Sequence, residues 1–173
     1  IDDDGNDLET GEIGEVISKS KLNMKGYWNK PDATKESIVD GWFYSGDAGF
    51  FDEEGFLFIH DRVKDMIVSG GENIYPAEVE NALMSHDEIL DAAVVGVPDE
   101  KWGESVKGFV VIGESSLSEE EIISYTRSQI AAYKCPKSIE FIKELPRNPS
   151  GKILRRELRD PYWEGIDRKV SGN

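Results

Sequence analysis

The chain has 173 residues, enough for one sizeable core or two small ones. Twenty Lys+Arg against 35 Asp+Glu give a formal charge of −15, which argues against general nucleic-acid or anionic-membrane binding, since both favour a basic face. Cys135 is the single cysteine, so no internal disulfide can form and a reducing compartment fits.

No apolar run approaches the roughly 20 residues of a membrane span. The start, Ile1-Asp2-Asp3-Asp4, is acidic and unlike a signal peptide. It also lacks an initiator Met, and the expectation is that the natural product continues upstream. The charge is uneven. Residues 1–60 hold 14 acids against five lysines, whereas residues 133–173 hold ten bases against six acids. A locally basic tail on an acidic protein suits an anionic ligand such as a nucleotide, or simply a solvated surface.

Residues 1–60 read as β. Gly14-Glu15-Val16-Ile17-Ser18 predicts a short strand. Gly41-Trp42-Phe43-Tyr44 and Gly49-Phe50-Phe51 are aromatic-rich, which favours strand. Asp52-Glu53-Glu54-Gly55 reads as a turn, with Gly55 free to take positive φ, and Phe56–His60 should return as the partner strand. Residues 66–71 predict a further short strand and turn. Pro76 is placed to begin a helix that ends near His86, with Val79, Ala82 and Leu83 on its apolar face. Asp91–Val97 and Val106–Ile112 are buried strand candidates. Ser118 with Glu121 forms a capping box for a helix to about Ala131. Ser138–Ile142 is a third strand, Ile153–Leu158 a closing short helix, and 160–173 a tail with little to bury. The fold class is therefore α+β, a β-rich stretch followed by a small mixed domain with its boundary near 61–65. That domain reads as a three-stranded sheet with helices plus a short two-stranded hairpin.

Several segments carry chemistry. Asp47, in Ser45-Gly46-Asp47-Ala48-Gly49, can accept from two neighbouring hydroxyls, as a ribose offers, or serve as a plain turn residue. Arg62 and Lys64 lie two apart, on one side of an extended segment, and alone would read as surface charges. Gly70-Gly71 lets a ligand pass close to backbone, and equally makes a tight turn. No Gly-x-x-x-x-Gly-Lys-(Ser/Thr) phosphate loop is present. Lys152, in Asn148-Pro149-Ser150-Gly151-Lys152, reads as an ammonium on a mobile, extended presenter, able to bridge two approaching anions; alone it is an exposed lysine at a helix start. His60 and His86 are isolated, so no metal site is expected, and Cys135 has no partner for a nucleophilic triad.

Three segments taken together are more specific: Tyr44-Ser45-Gly46-Asp47, the long run Asp61-Arg62-Val63-Lys64-Asp65-Met66-Ile67-Val68-Ser69-Gly70-Gly71-Glu72-Asn73-Ile74-Tyr75-Pro76, and Pro146-Arg147-Asn148-Pro149-Ser150-Gly151-Lys152. They resemble the C-terminal end of an adenylate-forming enzyme, specifically a fatty-acyl-CoA synthetase. The resemblance runs from about Gly11 to the tail and matches only the last third or so of such an enzyme. It implies that 1–61 is the end of a large N-terminal AMP-binding domain. Residues 62–173 would then be a mobile C-terminal domain that rotates about a hinge near Lys64.

By the same resemblance Asp47 and Arg62 bind nucleotide and Lys152 is catalytic in adenylation. Gly70 and Gly71 wall the tunnel for the CoA thiol. Trp102 and Tyr133 would stack the CoA adenine, with Lys137 on a phosphate. Related ligases often carry Arg or His where this chain has Cys135, and here the sequence departs from the pattern. Packing at the domain's edge is the plainer role for the aromatics.

The implied substrates are ATP, CoA and a carboxylic acid, fatty by the look of Leu158-Arg159-Asp160-Pro161-Tyr162-Trp163. The ligand for Mg²⁺, the phosphate loop and the acyl pocket would lie in the missing N-terminal domain, so this piece alone should be inactive. The implied location is the cytoplasm; membrane contact, disfavoured by the acidic charge, would fall to the missing domain. Two alternatives stand: an adenylation domain that loads a carrier protein, and a non-catalytic interaction module with this fold.

Overall fold

Aromatic residues crowd the segment Trp42–Phe51, and their bulk suits a pleated surface. The computed structural model, which describes residues 1–114 and 116–166, shows this segment as one ten-residue strand. It organises the first of two units, Ile1–Lys64. In chain order that unit holds β1 (Gly14–Ser18), α1 (Pro31–Ser37), β2 (Ile38–Val39), β3 (Trp42–Phe51) and β4 (Leu57–Arg62). β1, β2 and β4 all pair antiparallel with β3.

Two hairpin turns set the register. Val39 pairs with Trp42 across Asp40-Gly41, both at positive φ (51° and 82°), as a tight two-residue hairpin requires. Phe51 pairs with Leu57 across the Asp52–Gly55 turn, where the Asp52 carboxylate accepts from the Glu54 and Phe56 N–H groups. Two expectations need correcting. The aromatic stretches are one continuous strand, with Ser45-Gly46-Asp47 inside it. A helix, α1, also interrupts the β-rich stretch, marked by Pro31 at its first turn and Asp32 beside it.

The second unit begins at Asp65. It contains β5 (Ile67–Ser69), β6 (Glu72–Ile74), α2 (Pro76–Met84), β7 (Ile89–Asp99), β8 (Gly103–Ile112), α3 (Glu119–Gln129), β9 (Ser138–Phe141) and α4 (Arg155–Arg159). The predicted three-stranded sheet and short hairpin are joined into one five-stranded sheet, because Ser69 of β5 pairs with Gly103 of β8. β8 and β9 run parallel, so their connection must cross over, and α3 makes that crossing. The α3 start is the expected capping box: Ser118 Oγ accepts from the Glu121 N–H at 3.3 Å, and the Glu121 carboxylate accepts from the Ser118 N–H at 2.9 Å.

Strand alternation divides β7 between two buried faces. Ala92 and Val94 join Ile67, Val79, Leu83, Val110, Ile122 and Ile139 in a core beneath α2 and α3. Ala93 and Val95 face Phe109 and Leu145, with Ile153 and Leu158 of the C-terminal segment packed on them. The tail packs further than its composition suggests. The Trp163 indole N–H donates to the Gly96 carbonyl at 2.9 Å, and the Tyr162 hydroxyl to Glu140 at 2.8 Å. Burial, and then the bond to Glu140, raise the Tyr162 phenol above its usual range. The rest of the expected tail, 167–173, lies outside the described residues.

Candidate nucleotide and thiol sites

Asp47 and Arg62 are held opposite one another by the β3–β4 register, and their side chains form an ion pair at 2.9 Å. Asp47 sits where β3 is locally irregular. Its N–H donates to Ser45 Oγ at 3.1 Å, and Ser45 in turn donates to the Val16 carbonyl at 2.6 Å. Gly46, at φ 69°, leaves space where a Cβ would lie 3.4 Å from the Arg62 guanidinium. The pair is partly exposed, so a carboxylate and a guanidinium stand together at the surface with unused hydrogen-bonding capacity.

Arg62 ends β4, and Val63–Asp65 is a 3₁₀ turn carrying the exposed Lys64. Strand alternation therefore stops between Arg62 and Lys64, so they do not share one side of an extended segment.

A second cluster forms in the second unit around Trp102. Gly70 and Gly71 make the β5–β6 turn at φ 63° and 90°, and the Gly70 N–H donates to the Trp102 carbonyl at 2.8 Å. A Cβ on Gly70 would stand 2.6 Å from the Trp102 ring, so the missing side chain is what lets the indole lie on this turn. The Lys101 and Lys137 ammonium groups stand 4.5 and 5.4 Å from the ring centroid, within cation–π reach. Lys137 also bonds the Asp99 carboxylate at 2.9 Å. That bond, then the Trp102 and Lys101 N–H groups, hold the Asp99 carboxyl below its usual range. Beside them opens a cleft of about 620 Å³ lined by both Trp102 and Trp163.

Tyr133 is exposed in the 3₁₀ turn Ala132–Lys134, and its ring meets Lys134. Lys134 is itself bound by both Glu78 oxygens at 2.7 Å. Cys135 is buried, and burial raises its thiol pKa, so it offers no surface contact.

Lys152 sits on a tight hairpin, not on the extended presenter its Pro/Gly/Ser composition suggests. The Asn148 side-chain oxygen accepts from the N–H groups of Ser150 and Lys152, and from Ser150 Oγ. Arg147 and Ile153 form a bridge that closes the loop. The Lys152 ammonium is exposed, with no ion pair or hydrogen bond among the described residues.

Past the loop, Arg155 is gripped by Glu80 at 2.6 and 3.0 Å and approaches Asp65 at 3.7 Å, while Glu80 also accepts from the Val94 N–H. Nothing local in the sequence marks this network, whose members lie 75 and 90 positions apart.

The structure brings Asp47 to Arg62, and Gly70 to Trp102 and Lys137. It ties Lys152 to a different part of β7. The Lys152 loop is anchored at Asp91 and the Trp102 cluster at Asp99. Eight residues of strand at about 3.3 Å each put these anchors roughly 26 Å apart.

Residues 78–152 match the family model of the AMP-binding enzyme C-terminal domain. The chain is 49% identical over 172 residues to fatty acid–[acyl-carrier-protein] ligase ScoC of Streptomyces coeruleorubidus, covering 99% of this chain and 33% of that protein. It is 49% identical over 160 residues to long-chain-fatty-acid–CoA ligase FadD13 of Mycobacterium tuberculosis, covering 92% and 32%. Among solved structures it resembles o-succinylbenzoate CoA synthetase from Bacillus subtilis in complex with its acyl-adenylate intermediate. That match has a TM-score of 0.83 and 43% identity over 91% of this chain and 32% of the other. The chain thus spans about a third of the length of the relatives it matches. The match over residues 78–152 is thus to an AMP-binding enzyme C-terminal domain, and the relatives that the chain resembles over nearly its whole length are fatty-acid ligases.

Proposed function

We propose that this chain is the C-terminal part of an adenylate-forming fatty-acid ligase. Residues 1–61 would close its large domain, and 62–173 would be the mobile domain turning about Lys64. In the first half-reaction a carboxylate oxygen attacks the α-phosphorus of ATP, and the bond to the β-phosphate breaks to release pyrophosphate. Lys152 would bridge the two anions as they approach, an interaction strongest in the transition state. Asp47 would accept from the ribose hydroxyls, with Arg62 beside it. In the second half-reaction a thiol sulfur attacks the acyl carbonyl and AMP leaves. Gly70 and Gly71 would line the thiol's path, while Trp102, Tyr133 and Lys137 would hold the nucleotide end of CoA.

The observation that carries this reading is the separation of the two clusters along β7, roughly 26 Å by strand rise. A domain with Lys152 anchored at one end of a strand and the Gly70–Trp102 cluster at the other suits successive presentation of two faces to one active site. The exposed apolar run Phe56–Ile59 in the first unit supports further protein packed against it. This reading places the Mg²⁺ ligand elsewhere in the protein; among the described residues no group of three His, Cys, Asp or Glu is arranged to hold a metal ion. The chain alone would be inactive. The reading places the enzyme in the cytoplasm; among the described residues no helix is long and apolar enough to cross a membrane.

A second reading differs only in the acceptor. One relative is named for an acyl-carrier-protein and another, equally identical, for CoA. The test is carboxylate-dependent ATP–pyrophosphate exchange by the full-length protein across acids of increasing chain length, followed by CoA or a phosphopantetheinyl carrier protein as acceptor. Exchange with fatty acids and consumption of CoA is expected. Consumption of the carrier thiol alone selects the second reading, and no exchange with any acid leaves the non-catalytic module.

A further inference from the structure

The Lys152 loop is tied to the sheet by one guanidinium. Arg147 donates through Nη1 to the Gly151 carbonyl at 2.6 Å and through Nη2 to the Asp91 carboxylate at 2.7 Å. Asp91 lies on β7, 56 positions earlier, and its other oxygen accepts from the Ala92 N–H at 3.1 Å. The carboxylate is therefore fixed by its own strand, and the fork is fixed by the carboxylate. The carbonyl it grips belongs to the residue just before Lys152, at φ 85°. Asn148 holds the same short segment from the other side, accepting from the Lys152 N–H at 2.9 Å.

We propose that Arg147 and Asp91 are positioning residues for Lys152, setting the direction in which its ammonium leaves the hairpin. This rests on the reading of Lys152 as the adenylation lysine. The ion pair is partly exposed, so its contribution to folding is small. Its effect falls on geometry, where a misplacement on the order of 1 Å costs up to about 100-fold in rate. A lysine at 147 cannot stand in, because one ammonium lacks the planar fork that meets a carbonyl and a carboxylate together. On the far side of the loop, Arg155 with Glu80 fixes α4, but that pair is largely buried and serves the fold.

The test uses the full-length protein and two rates: ATP–pyrophosphate exchange, and acyl transfer to the thiol acceptor from preformed acyl-adenylate. Arg147→Ala, Arg147→Lys and Asp91→Ala are expected to slow exchange by about 10- to 100-fold. They should leave acyl transfer at the wild-type rate and add little to Lys152→Ala. A merely structural role would slow both half-reactions in parallel, and that result overturns the proposal. So does wild-type exchange in Arg147→Ala when Lys152→Ala has lost it. If Lys152→Ala itself exchanges like wild type, the underlying reading of Lys152 fails and the positioning role falls with it.

Discussion

Asp47 and Arg62 face each other across β3 and β4, carboxylate to guanidinium at 2.9 Å, because the strand register makes them partners. Neither is buried, so the pair contributes at most about 1 kcal/mol to folding. If the proposed reading holds, Asp47→Ala in the full-length protein raises the ATP KM about tenfold or more, on the scale of one hydrogen bond to a charged group. Thermal unfolding should barely move. An unchanged KM would remove Asp47 from the nucleotide site.

Arg155 and Glu80 behave differently, since their side chains are only 16% and 13% exposed. Arg155→Met strands the Glu80 carboxylate in the packed interior of the second unit, leaving it only the Val94 N–H. Removing one partner of a buried pair costs about 3 kcal/mol. Urea unfolding of the chain should show that loss.

Gly70→Ala tests the turn beneath Trp102. The new Cβ would meet the indole at 2.6 Å on a backbone at φ 63°, so the ring must move. The expected result is an altered near-ultraviolet circular dichroism signal and weaker use of the thiol acceptor, with ATP–pyrophosphate exchange retained. A variant indistinguishable from wild type in acyl transfer would take the Gly70–Trp102 contact out of the thiol site.

The Asp99 carboxyl is held below its ordinary range by Lys137 first. Its contribution is therefore complete above the unfolded value of about 3.9 and disappears as pH falls through the lower folded value. Trp102 fluorescence, with Lys137 5.4 Å from its ring centroid, should stay flat from neutral pH to about pH 5 and change only below the unfolded value. A transition centred above that value would contradict the pairing.

Cys135 is buried and its thiol pKa is raised by that burial. Disulfide-exchange reagents should react slowly with the folded chain near neutral pH and rapidly once it is unfolded in denaturant. Fast reaction of the folded chain would place the thiol at the surface.

How far the sequence was legible follows from how local each signal is. The Ser118–Glu121 box, the Asp52–Gly55 turn and Pro76 at the start of α2 involve residues within a few positions, and the structure holds all three. Asp40-Gly41 is an equally local hairpin signal, and it marks β2. The joining of β5 to β8 rests on the single pair Ser69–Gly103, with no periodicity to announce it. The Pro/Gly/Ser composition at 148–151 suggests an open loop, but Asn148 turns it into a closed hairpin with its own side chain. Arg147–Asp91 and Arg155–Glu80 were invisible because charge partners 56 and 75 positions apart leave no trace in composition. Trp163 read as tail because its one polar atom finds its partner on a strand far upstream.

Lys152 is proposed to serve adenylation within a larger ligase. Carboxylate-dependent ATP–pyrophosphate exchange by the full-length protein, wild type against Lys152→Ala, tests it most directly. Exchange with a fatty acid should fall at least about 100-fold in the variant, the scale of losing one transition-state charge contact. A variant that exchanges as fast as wild type would contradict it.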